Sequence, residues 1–177
     1  TLDRTLSVVV HTSAAYDAVT ATGAVPTYLL DLPFRPSQTK PSTARASRGP
    51  LKFVQFGYIG HNRRLLEVLT ALAPLRDELD FRFDIMGKVW DPHVVQTRIR
   101  ELGLEDRVTI HGFVAEAELD ARLAEAHLVF NLRYPTMGEA SGSQLRIWNA
   151  SAAAVVTDLG WYGTLGDDTV FKLPLEE

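Results

Sequence analysis

Leu128-Val-Phe-Asn-Leu-Arg-Tyr-Pro-Thr-Met-Gly-Glu-Ala-Ser-Gly-Ser-Gln-Leu-Arg-Ile-Trp-Asn-Ala150 contains three kinds of pattern in sequence. Leu128-Val-Phe130 is a short apolar run of strand type. Residues 134–144 form a loop carrying Gly138 and Gly142, and the positions from Leu145 to Ala150 are apolar at helical spacing. Four residues on, Ala154-Val-Val-Thr157 is again strand-like. A strand that passes through a glycine-bearing loop into a helix and on to another strand is a βαβ unit, whose strands run parallel.

The same alternation extends upstream. Lys52-Phe-Val-Gln-Phe-Gly57 reads as a strand closed by glycine, and Leu65, Leu66, Val68, Leu69, Leu72 and Leu75 as a helix. Phe81, Phe83 and Ile85 alternate with Arg82 and Asp84 in a further strand. Val94, Val95, Ile99 and Leu102 mark a helix that Gly103 is placed to end. Val108-Thr-Ile110 is a strand, and Leu119 to Leu123 belong to a helix with glutamates on its flanks. The expected fold is α/β, a Rossmann-like parallel sheet with helices on both faces. Ligands of such sheets lie beyond the carboxyl ends of the strands, which selects residues 57–64, 87–91, 112–114 and 133–143.

Residues 1–35 contain a strand at 6–11, a helix from about Ala14 and a strand around 25–32. This one βαβ unit is either docked on the main domain or the remnant of another. Residues 36–50, rich in Pro and Ser and without large apolar side chains, read as a linker, and 51–177 as the main domain. The first 49 residues hold five basic against three acidic side chains, so the excess of acid lies in the remainder.

A chain of 177 residues, 46% apolar and 23% charged, can bury about 70% of its unfolded surface and needs no covalent staple. It has no cysteine, which removes disulfides and thiol catalysis. A net charge of −4 argues against a nucleic-acid-coating protein but leaves room for a local anion pocket. No apolar run reaches the ~20 residues of a membrane span, and the first residues do not resemble a signal peptide, so the expected location is cytoplasmic. His11, His61, His93, His111 and His127 have no metal-ligand spacing, and no metal is expected. There is no Asp-x-Asp pair, Walker A loop, dinucleotide fingerprint, Gly-x-Ser-x-Gly elbow or Tyr-x-x-x-Lys pair.

The loop at 134–146 carries the most chemistry. The first amides of the following helix lack internal partners and sit at its positive end. Gly142 allows close approach, and Ser141 and Ser143 add donors, as an anion site requires. The other reading is an ordinary helix start with a serine cap. Glu139 would repel a phosphate; it either accepts hydrogen bonds from sugar hydroxyls or is a solvated loop residue. Arg63 and Arg64, expected to open a helix, are unfavourable for its dipole. They either bring charge to the crevice or form a solvated face. Lys88, after the strand ending at Gly87, poses the same choice. Trp148, Trp161 and Tyr162 are either packing residues or a partner-binding surface.

Taken together, Phe53-Val-Gln-Phe-Gly57 with Arg63-Arg64, Phe83-Asp-Ile-Met-Gly87, Arg107-Val-Thr-Ile-His-Gly-Phe113, Ala126-His-Leu-Val-Phe130, Pro135-Thr-Met-Gly-Glu-Ala-Ser-Gly-Ser143 and Val155-Val-Thr-Asp-Leu-Gly160 resemble the C-terminal, donor-binding domain of a group 1 (family 4) retaining glycosyltransferase of the GT-B type. The resemblance implies that a nucleotide-diphosphate sugar is the donor and no metal or other cofactor is needed. A hexosyl-type group would pass to a glycan or lipid-linked acceptor in polysaccharide or glycoconjugate biosynthesis. It implies catalytic roles for Glu139, on the sugar hydroxyls, and for Arg63 or Arg64, on the diphosphate. It implies donor contacts at Gly57, Gly60, Lys88, Phe113, Val114, Gly138, Ala140, Ser141, Gly142 and Ser143. Residues 1–34 resemble the closing unit of the acceptor-side domain. The acceptor would meet the rest of that domain, with peripheral membrane contact there, and the present chain would bind a donor without turnover. The sequence departs from the family in three places. Ile147 stands where a second glutamate would hold the ribose, Arg63-Arg64 replace a Lys-Gly pair, and Ala152-Ala-Ala154 replace a Gly-x-Pro. The rival reading is a non-catalytic interaction or scaffold module.

Overall fold

The computed structural model describes residues 4–36 and 49–175. Most of the linker expected at 36–50 lies outside them. The elements are β1 (Val8–Val10), α1 (Ser13–Thr20), β2 (Thr27–Leu29), β3 (Leu51–Phe56), α2 (Leu65–Leu72), β4 (Phe81–Met86), α3 (Pro92–Glu101), β5 (Val108–Gly112), α4 (Glu116–Glu125), β6 (Leu128–Phe130), α5 (Gly142–Asn149), β7 (Ala154–Thr157) and β8 (Phe171–Leu173), with short 3₁₀ turns at His61–Arg63, Ala73–Asp77 and Tyr162–Thr164.

Strands β3 to β8 form one parallel sheet in the order β5-β4-β3-β6-β7-β8. This is the doubly wound order of a Rossmann sheet, in which the chain leaves β3 toward one edge and β6 toward the other. The crevice at that reversal opens over the carboxyl ends of β3 and β6.

Strand alternation sorts the core into two layers. Phe53, Phe81, Phe83 and Ile85 pack with Leu65, Leu69, Val95 and Ile99 of α2 and α3. Val54, Phe56 and Met86 face Leu119 and Leu123 of α4 and Ile147 of α5. Phe81, Phe83 and Ile85 are fully buried while Arg82 is exposed, as the period of two requires. Beyond the strand ends, Ile59 and Val89 continue the β3–β4 pairing. Gly87 is needed there: its φ is +119°, and a Cβ would stand 2.1 Å from the Gly57 carbonyl oxygen.

Three local readings differ from the structure. β8, read as no element from sequence, adds the edge strand beside β7; its three residues are too few for a visible period. Helix α5 starts at Gly142, three residues before its apolar pattern, because Ser141 caps it by accepting from the Gln144 amide at 3.1 Å. Arg63 and Arg64 do not open α2 together. Arg63 ends the 3₁₀ turn, and Arg64 takes the left-handed conformation at φ 56° that lets the helix start in a new direction.

The first unit, β1-α1-β2, forms its own two-stranded parallel sheet. It touches the main sheet domain through Thr12, whose hydroxyl donates to the Gly138 carbonyl at 2.8 Å. Among the described residues no helix is long and apolar enough to cross a membrane.

Candidate functional site

Polar side chains are rare in the two cores, and most of those that occur stand at the β3–β6 reversal. Gln55, Arg63, Asn131, Ser141, Gln144 and Thr157 are all buried. Buried polar groups require partners, and several are found. The Gln55 amide donates to the Arg63 carbonyl at 2.8 Å, the Asn131 amide donates to Gln144 Oε1 at 2.9 Å, and the Tyr162 hydroxyl reaches Asn131 Oδ1 at 3.4 Å. Four atoms remain without one: Gln55 Oε1, Arg63 Nε, Arg133 Nε and Gln144 Nε2. An apolar ring of strands and helices thus encloses a hydrogen-bonding set with spare donors.

Arg63 is the decisive member. It is 3% exposed; its Nη2 donates to the Phe56 carbonyl at 3.4 Å, and the Tyr162 hydroxyl is its other hydrogen-bond partner. Burial lowers the pKa of its guanidinium; Tyr162 opposes that shift, Arg133 adds to it and Glu139 opposes it. A guanidinium stays protonated at neutral pH through such changes. The cation is therefore held in a low-dielectric place without a carboxylate in direct contact.

Glu139 has both oxygens engaged. Oε1 accepts from Arg133 Nη1 at 2.5 Å, and Oε2 accepts from the Thr136 hydroxyl at 3.0 Å and the Met137 amide at 2.7 Å. Burial opposes its charge, but the amides of Glu139 and Met137, the Thr136 hydroxyl and Arg133 together prevail, and its pKa falls below the ordinary carboxylate value. Glu139 therefore shapes the loop on which it sits and neutralises Arg133.

At the start of α5, the amides of Gly142 and Ser143 make no hydrogen bond among the described residues, and a Cβ added at Gly142 would meet nothing within 4 Å. The expected anion features (Ser141, Gly142, Ser143, with Gly138 and Ala140 leading in) thus lie on one loop over the reversal. Gly57 and Gly60 shape the opposite loop. Arg64 turns elsewhere: it pairs with Glu67 at 3.1 Å and lies over the Tyr134 ring at 5.5 Å.

Beside this end lies an open pocket of about 370 Å³. Phe56, Met86 and Leu119 give it an apolar floor, and Gly57, Lys88, Phe113 and Val114 border it. Phe113 is 89% exposed at the rim. Its remaining polar border is Tyr58 and the ion pair of Glu116 with Arg146. Sequence reading missed Gln55, Arg133, Asn131, Gln144, Glu116 and Arg146. Gln55, Asn131 and Gln144 gain meaning only from burial at the reversal, Arg133 from its pairing with Glu139, and the last two only from the approach of α4 to α5. Trp148 and Trp161 are half-buried against the second core, and Tyr162 is fully buried in it. The aromatic trio is packing rather than a free surface.

This fold matches the Rossmann-like domains of GT-B glycosyltransferases, and solved structures similar to it include such enzymes. The apo lipopolysaccharide outer core galactosyltransferase WaaB matches 94% of this chain with a TM-score of 0.70 at 15% identity, over 48% of its own length. Sucrose-phosphate synthase from Thermosynechococcus elongatus matches 99% at 0.74 and 15% identity, over 47% of its length. Anabaena HepE in complex with UDP and glucose matches 94% at 0.67 and 16% identity, over 48% of its length. The chain thus spans about half of each of these enzymes. No protein-family model matches the sequence, and no curated protein does.

Proposed function

We propose that the chain is the donor-binding half of a retaining glycosyltransferase that takes a nucleotide-diphosphate sugar without a metal. The parent enzyme would pass a hexosyl-type group to a glycan or lipid-linked acceptor held by the rest of the acceptor-side domain. The observation that carries this reading is Arg63: a buried cation with no carboxylate in direct contact and an unpartnered Nε, at the strand reversal where such sheets take their ligands. In this reading the diphosphate lies between Arg63 and the Gly142 and Ser143 amides, and the nucleoside lies on Phe56, Met86 and Leu119. Preorganised donors of this kind stabilise the charge that develops on a leaving diphosphate. Glu139 holds the loop that faces the sugar. HepE, solved with UDP and glucose, is consistent with that class of donor.

The test is calorimetric titration of the chain with UDP and GDP in EDTA and a phosphate-free buffer. Binding that persists in EDTA and is lost in Arg63→Met supports the proposal. Absence of binding to either nucleotide, by wild-type protein with a cooperative melt, refutes it for this chain.

A further inference from the structure

The nucleoside pocket is apolar except along one side. Among the residues that line it, Glu116, the first residue of α4, is the only carboxylate. One of its oxygens pairs with Arg146 of α5. Arg146 also donates to the Glu116 carbonyl at 3.1 Å and, through Nε, to Asp120 at 2.8 Å. Its charge is spent on these neighbours, and the pair draws the Glu116 carboxylate, 76% exposed, toward the pocket rim. The other oxygen, Oε1, takes no hydrogen bond among the described residues. Ile147, next to Arg146, is fully buried in the core, so α5 brings no carboxylate of its own to this rim.

An apolar floor with a carboxylate acceptor on its edge, and the Tyr58 hydroxyl also on the lining, suits a ligand with a flat ring and neighbouring hydroxyl donors. A nucleoside with an intact ribose diol has that shape. Lys88, the pocket's other charged side chain besides the Glu116–Arg146 pair, offers donors only and cannot receive a hydroxyl proton.

We propose that Glu116 reads the ribose hydroxyls of the nucleotide and that Arg146 is its positioning residue, so that α4 supplies the sugar-edge recognition that α5 lacks. The inference rests on the pocket being the nucleotide site proposed above. It makes the site selective for ribonucleotides over their deoxy counterparts.

The experiment is titration of the chain with UDP and GDP and with their 2′,3′-dideoxy forms. Wild-type protein should bind the ribonucleotide about tenfold more tightly, as hydrogen bonds to a charged acceptor imply. Glu116→Ala should lower ribonucleotide affinity to the dideoxy value and leave dideoxy binding unchanged. Glu118→Ala, on the same exposed first turn and outside the pocket, should keep the full ratio. It thereby separates a ligand contact from a loss at the helix start. Arg146→Met should reduce the ratio, and Arg146→Lys should restore part of it. A ratio near one in wild-type protein, or a ratio that survives in Glu116→Ala, overturns the inference while leaving nucleotide binding intact. If neither nucleotide binds, the underlying reading falls and this one with it.

Discussion

Replacing Arg63 with methionine should move stability and binding in opposite directions. Arg63 is 3% exposed, its Nε has no partner, its hydrogen bond to the Phe56 carbonyl is long at 3.4 Å, and Tyr162 is its other partner. Its backbone carbonyl, which anchors Gln55, does not depend on the side chain. Methionine keeps most of the volume and removes a buried charge that the empty protein compensates only partly. Exchanges of buried ionic groups for apolar ones of similar size stabilise by about 1–3 kcal/mol. For a domain of this size that raises Tm by roughly 3–10 °C. A diphosphate would lose a desolvated, charge-assisted contact, and its affinity should fall about 10- to 100-fold. Thermal melts and calorimetry on the same samples, in a phosphate-free buffer of low ionic strength, give both numbers. If Arg63→Met lowers Tm by several degrees and leaves nucleotide affinity unchanged, Arg63 is a structural strut and the argument for the anion site fails.

Three further substitutions probe the neighbourhood. The Glu139 pKa is depressed in the folded state, so its stabilisation is present above the unfolded value and is lost as pH falls through the folded one. The Tm advantage of wild type over Glu139→Gln should accordingly be full at pH 7 and shrink below about pH 4.5; an advantage that is constant from pH 7 to 3 would contradict this. Gly87→Ala places a Cβ 2.1 Å from the Gly57 oxygen at a φ of +119°, and urea unfolding should show a loss of about 3 kcal/mol or more. Ile147→Glu, meant to restore the missing carboxylate, should instead bury a charge in the α5 core and cost about 3–5 kcal/mol, because Ile147 is 0% exposed. A stable Ile147→Glu protein with tighter nucleotide binding would refute the placement of that side chain.

The sheet was legible wherever periodicity was clean. Phe81, Phe83 and Ile85 against Arg82 and Asp84 could be nothing but a half-buried strand, and Leu65 to Leu72 nothing but an apolar helix face. β8 was not legible, since three residues with one lysine in the middle carry no period. The site divides in the same way. Gly142 and Ser141 stand out because glycine and a capping serine have local meanings at a helix start. Gln55, Asn131, Gln144 and Arg133 carry no local meaning: each becomes informative only because the strand order brings β3 and β6 together, burying the first three and placing Arg133, partly buried, beside Glu139. Two adjacent arginines look alike in sequence, yet one backbone turn at Arg64 buries the first and leaves the second paired with Glu67.

A carboxylate beside an anion site is a paradox in the sequence, and the structure resolves it by pairing. Glu139 and Arg133 are 2.5 Å apart and cancel, so neither repels nor attracts a diphosphate strongly. That leaves Arg63 as the net charge at this end, little screened because it is buried. At the nucleoside end Arg146 is paired with Glu116 and Asp120, which leaves one Glu116 oxygen as an acceptor and Lys88 as a donor. On the proposed reading, partly compensated positive charge stands where a diphosphate would lie and a carboxylate acceptor stands at the pocket where hydroxyl donors would lie. A free phosphate would satisfy only the first end and a nucleoside only the second. Under the proposed function, the cleft suits a molecule that carries both.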